Sequence, residues 1–130
     1  MTYKRNLPAN FQSVHDSKSE WFEITAGERF SIRVSSEETE SAYTMLEVVA
    51  DHRNGTPMHV HQNEDEHFII LEGTAHFAYG DKTVDAPAGA NITVSKGIRH
   101  AWCNLSEGAL RDVNQPLRAI EPDRDRNLVF

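Results

Sequence analysis

The sequence predicts an all-β fold, a barrel or a sandwich, on three observations. Short runs of aromatic and β-branched residues recur along it. Gly, Pro and Asn-Gly turn signals separate them at close intervals. No ten-residue segment carries a convincing helical period. Together these features disfavour alternating βαβ units.

The elements follow in order. Residues 1–18 are mixed and polar, with Pro8 and no clear period, and are expected to form an N-terminal arm. That arm either packs across a neighbouring subunit or lies loose. A single domain is expected over 19–130. WFEIT and ERFSIRVSS read as strands broken at Ala26-Gly27. SSEETES is an acidic loop, and AYTMLEVVA a strand over 42–50. DHRNGTP holds Asn-Gly and Pro, so the chain turns at 51–57. Gln62 to Asp65 is polar and reads as a turn, and EHFIIL as the strand after it. TAHFAYG, a turn at Gly80-Asp81, and a short KTVDA come next. PAGA turns at 87–90, NITVS is a strand, Lys96-Gly97 turns, and IRHAWCN is a strand. Residues 109–113 add one more. The tail EPDRDRNLVF is charged and then apolar. Two similar halves meet near Gly80.

Composition narrows the function classes. With 130 residues, 38% hydrophobic, and a mean hydropathy of −0.57, the chain reads as a soluble globular protein. No apolar run approaches the roughly 20 residues of a membrane helix, and the first residues lack the apolar core of a secretory signal. A cytoplasmic location without a membrane partner is expected. A formal charge of −7 opposes a nucleic-acid partner, because phosphate binding needs a basic patch. The one cysteine, Cys103, has no internal disulfide partner and agrees with a reducing compartment.

The chemistry concentrates in GTPMHVHQNEDEHFIILEG, residues 55–73. Side chains alternate along a strand, so His59 and His61 share a face. Glu66 opens the following strand, and His100 lies in a matching segment downstream. Two imidazoles on one strand and a carboxylate on the next can converge on one transition-metal ion. A bare H-x-H would more often be a pair of surface histidines; the fourth candidate, His100, shifts the balance.

The two segments resemble the motifs of the cupin superfamily. Gly55, His59, His61, Glu66 and Gly73 follow the first motif, although the Gly55–His59 gap is shorter than usual. Gly89, Gly97, His100 and Asn104 follow the second, with Ser95 where the family has proline. The resemblance covers residues 42–113. It extends more loosely to small single-domain cupins of the quercetin-dioxygenase-like group. It implies a jelly-roll barrel holding one divalent metal (Fe, Mn, Ni, Cu or Zn) through His59, His61, Glu66 and His100. Four protein ligands on a six-coordinate ion would leave two positions for water, substrate or oxygen. The implied partner is a small molecule, and the implied assembly a homodimer.

Parity places the neighbours. Phe68 and Ile70 share the face of Glu66, and Trp102 that of His100, so all three are pocket-wall candidates. Ile69 and Leu71 take the opposite face and need cover of their own, from a subunit interface on the expectation of a dimer. Cys103 should point away from the metal as an inert thiol. His67 alternates away from the ligands. His15, His52 and His76 read as surface or structural residues, His76 alone keeping distant support of the site as its less favoured alternative. Glu64 and Asp65 read as a solvated turn, and Glu47 has no assignable face. No G-x-S-x-G elbow, phosphate loop or Cys-His pair competes. The leading expectation is a dioxygenase-type oxidoreductase acting on a small enol or hydroxylated substrate, with Glu66 as the base. The alternatives are a non-catalytic ligand-binding or sensing barrel, and a metal-dependent isomerase or lyase.

Overall fold

A computed structural model describes residues 20–118. The expected arm and tail lie outside the described residues. Ten strands run in chain order: β1 Phe22–Thr25, β2 Glu28–Val34, β3 Met45–Ala50, β4 Gly55–His59, β5 Glu64–Glu72, β6 Thr74–Tyr79, β7 Lys82–Pro87, β8 Asn91–Val94, β9 His100–Asn104 and β10 Leu110–Arg118. They form a six-stranded sheet, β1-β2-β3-β10-β5-β8, and a four-stranded sheet, β4-β9-β6-β7. All named pairings are antiparallel. The last strand returns to lie between β3 and β5, which makes this the jelly roll that was expected. No helix among the described residues is long and apolar enough to cross a membrane.

The alternation of each strand sets what lies inside. Along β5, Glu66, Phe68 and Ile70 are buried, while His67 and Ile69 are half-buried and Leu71 is exposed. Along β9, His100, Trp102 and Asn104 are buried and Ala101 and Cys103 are not. Phe68 meets Phe77 of β6 edge to face at 4.9 Å, closing the core between the sheets.

Three sequence expectations shift. The strand expected over 42–50 begins only at Met45. The preceding loop holds Glu40 and Ser41 at φ of 53° and 67°, which breaks extended backbone. The polar turn expected at Gln62 to Asp65 is shorter, because Glu64 and Asp65 already belong to β5. Asp65 pairs with Leu117, and its Oδ1 accepts the Lys96 backbone N–H at 2.9 Å, so ladder and side chain override a turn-like composition. The strand expected at 109–113 runs on to Arg118, through Asn114 and Pro116. Pairing with β3 on one side and β5 on the other carries it past those residues. The missing N–H of Pro116 is tolerated, and its carbonyl accepts the N–H of Thr44 at 3.2 Å.

Glu47 faces outward, opposite Ser31 and Val113. It accepts Arg33 Nε at 3.1 Å and Nη2 at 2.8 Å, and also Arg111 Nη1. Burial pushes its pKa up, but the hydrogen bonds and charges of the two guanidiniums outweigh that and hold it below the usual range.

Candidate metal centre

The folding of β4, β5, β9 and the loop after β4 brings the four candidate ligands to one place; β4 ends at His59, so His61 lies just past the strand expected to carry both imidazoles. His59 lies opposite His100 in the β4–β9 ladder. Glu66 comes from the facing sheet. One ligand atom from each of His59, His61, Glu66 and His100 lies within 4.8 Å of the others. Glu66 Oε1 is 2.9 Å from His100 Nε2 and 3.3 Å from His61 Nε2. The His59 and His100 rings are 4.2 Å apart, and those of His59 and His61 4.9 Å.

Outer partners fix the rings. His59 Nδ1 donates to the Pro57 carbonyl at 2.8 Å, and His100 Nδ1 to the Ile98 carbonyl at 3.0 Å. His61 Nδ1 faces Glu64 Oε1 at 3.7 Å. With the proton held on Nδ1, the Nε2 lone pairs of His59 and His100 are left for an ion, which is how metal-ligating imidazoles are usually set. His61 reaches the same centre through Nε2. Three neutral imidazoles and a carboxylate suit a divalent transition metal, and softer thiolate ligands are absent from the cluster. His59 and His61 are half-buried, so the site opens toward solvent on their side.

Glycine and asparagine shape the frame. A Cβ on Gly55 would lie 2.1 Å from the Trp102 carbonyl oxygen, so only glycine allows β4 to approach β9 this closely. Asn104 is wholly buried, and its Nδ2 donates to the carbonyls of Ala50 and Gly108, both at 2.9 Å. Its Oδ1 accepts the Ser106 N–H at 2.8 Å. The second-motif asparagine therefore locks the β9–β10 loop.

The other described histidines are elsewhere. His67 faces outward and pairs with Thr93 Oγ1 at 2.7 Å. His52 Nδ1 donates to the Ser106 carbonyl at 2.6 Å. His76 does not support the centre, so its less favoured alternative fails. It lies on the outer face of the small sheet, 2.6 Å from Asp85 Oδ1. Cys103 is free and half-buried on that outer face. Phe68, Ile70 and Trp102 face the interior, each 5% exposed or less, and the Phe68 ring is 6.5 Å from that of His100.

Sequence reasoning missed four buried polar side chains, Glu28, Ser31, Asp112 and Asn114. Asp112 pairs with Val48 and Ile70, and Asn114 with Leu46 and Phe68, so both face the core. Their shared parity with Leu110 was the available signal; for Asn114 it was hidden by ending the last strand at 113. Glu28 Oε2 accepts from Thr56 Oγ1 at 3.4 Å, and burial raises its pKa. The Asp112 carboxyl is pushed up to about 8, first by burial and then by the charges of Glu66 and Glu28.

Residues 45–113, just over half of the chain, match the cupin domain family. The chain belongs to the cupin family. Solved cupin-fold structures agree. A predicted oxalate decarboxylase from Thermotoga maritima superposes with a TM-score of 0.73 at 19% identity, covering 83% of this chain and 100% of its own. Hydroxypropylphosphonic acid epoxidase from S. wedmorenis gives 0.70 at 17% identity, over 85% of this cupin and 61% of the epoxidase. A recombinant oxalate oxidase in complex with glycolate gives 0.61 at 16%, over 71% and 51%. At these identities the likeness establishes the fold. No match was found among curated protein sequences.

Proposed function

We propose that this metal-binding cupin is a dioxygenase-type oxidoreductase acting on a small enol or hydroxylated molecule. The observation that carries the proposal is the His59–His61–Glu66–His100 cluster, open toward solvent beside its two half-buried imidazoles. A transition metal bound there would supply positive charge that lowers the pKa of a chelated hydroxyl and stabilises the resulting anion.

The chain's own residues supply the rest. His59, His61 and His100 orient the site through their Nδ1 contacts. Glu66 is the proposed catalytic base. Its Oε1 is shared with His61 and His100, which leaves Oε2 to take the substrate proton. Phe68, Ile70 and Trp102 form the apolar wall that excludes water. The proximity of Phe68 and Phe77 argues for a small substrate. A homodimer completes the proposal, supported by the exposure of Leu71 beside Ile69 on the outer face. The free thiol of Cys103 supports a reducing cytoplasm.

The test loads the protein with Fe, Mn, Ni or Cu in turn and follows oxygen uptake with flavonols, diketones and catechols. Glu66→Gln keeps size and an acceptor oxygen but loses basicity. It should retain metal and lose about 10²–10⁴-fold in turnover. Activity that merely tracks metal occupancy would reduce Glu66 to a ligand. No oxygen uptake with any pairing would favour a binding module, and oxygen-independent turnover of a sugar or keto acid would overturn the dioxygenase reading.

A further inference from the structure

Asp112 and Asn114 stand out once the metal ligands are set aside. Both are on the inner face of β10, at 1% and 8% exposure. Among the described residues, Asp112 Oδ1 and Asn114 Oδ1 have no hydrogen-bond partner; Ser31 Oγ shares that status but lies on the other face of the sheet, opposite Glu47. Their cross-strand neighbours, Val48 and Ile70 for Asp112, Leu46 and Phe68 for Asn114, are apolar and offer no side-chain donor. A buried acceptor left unpaired costs about 1–3 kcal/mol, so such atoms in a native fold need a donor from elsewhere. Glu28, the other inward acid, already has Thr56.

The strand geometry relates these oxygens to the metal centre. Pro116 of β10 lies opposite Glu66. Asn114 is two residues further along the same strand and Asp112 four, or about 7 Å and about 13 Å at the usual rise. The two orphan acceptors thus continue inward from the ligand cluster along one wall. We infer that Asp112 and Asn114 form a second recognition element of the barrel, which accepts hydrogen bonds from hydroxyl or amine groups on a molecule whose other end chelates the metal. This inference rests on the reading of the barrel as an open metal site. It narrows the substrate class to molecules with a chelating head and a donor-bearing tail. A purely apolar tail would leave both oxygens unpaired, and sites of this kind discriminate strongly for that reason.

The experiment uses the full chain loaded with Co(II), whose visible absorption reports entry of a chelator. The probes are 2-hydroxy acids of about four to six carbons, each compared with its analogue carrying a terminal hydroxyl. The hydroxylated member should bind about tenfold tighter or more at the chain length that reaches Asn114 or Asp112. Asp112→Leu and Asn114→Leu, close in shape and lacking acceptors, should keep the cobalt spectrum and lose that preference. Equal affinities within every pair on the unaltered protein would overturn the inference, and that comparison needs no variant to fold. So would a preference that survives in both variants. Failure of every probe to perturb the cobalt spectrum would instead remove the open metal site, and the inference with it.

Discussion

The backbone N–H of Gly97 donates to the carbonyl oxygen of His61 across 2.8 Å. This bond ties the turn before β9 to the loop after β4. The turn leads into His100 at the start of β9, and the loop carries His61. Gly97 holds φ at +82° with open space where a Cβ would stand, so substitution is opposed by backbone conformation alone. Gly97→Ala should cost about 1–2 kcal/mol, lowering the melting temperature by several degrees and weakening metal affinity with it. Calorimetry and metal titration of the variant check both, and an unchanged melting temperature would count against the role given to this turn.

The ligand assignment makes a sharper contrast. His100→Ala removes a fully buried imidazole at the centre, whereas His67→Ala removes one that faces outward toward Thr93. Elemental analysis should find most metal gone from the first variant and full occupancy in the second. Equal occupancy in both would sink the assignment.

Gly55 offers a test of the frame. Adding a methyl group there drives it into the Trp102 carbonyl at 2.1 Å, a backbone atom that cannot swing aside. Gly55→Ala should part β4 from β9 and destabilise the fold by more than about 3 kcal/mol, in the range of severe steric changes. Urea denaturation measures this directly; a loss below about 1 kcal/mol would mean that the strands separate easily.

Asp112 predicts a pH dependence. Its folded pKa is raised to about 8 from an ordinary 3.8. Between those values the folded chain holds a proton that the unfolded chain has released, so stability falls as pH rises from about 4 toward 8. The effect is fully relieved only below the unfolded value. Asp112→Asn removes the titration, so the metal-free variant should gain on the parent as pH increases across that window, by an amount on the order of a few kcal/mol. Parallel stability curves for the two proteins would refute the shift.

Much of this molecule was legible in its sequence, because alternation is a local property. The parity of Glu66, Phe68 and Ile70, and of His100 and Trp102, could be read without knowing which strands pair. What stayed hidden depends on partners distant in sequence. Asn114 and Pro116 look like loop residues until β3 and β5 flank them. Glu64 and Asp65 look like a turn until Leu117 and the Lys96 amide meet them. Glu47 sits among apolar residues on both sides, and only the positions of Arg33 and Arg111 reveal that it faces out. His76 has an aspartate across a neighbouring strand that no spacing rule would connect to it.

Two of the four metal ligands, His59 and His100, belong to the small sheet, His61 follows in the loop after β4, and Glu66 alone belongs to the large sheet. An ion held by all four is therefore a tie between two layers otherwise joined chiefly by side-chain packing. Unlike packing, such a tie has a strength set from outside the molecule. A ligand that binds only the folded chain stabilises it by RT ln(1 + [L]/Kd), about 2.7 kcal/mol at a hundredfold excess over Kd. The resistance of this barrel to unfolding is then a reading of the metal supply around it, and of the acidity that protonates the imidazoles competing for the same lone pairs.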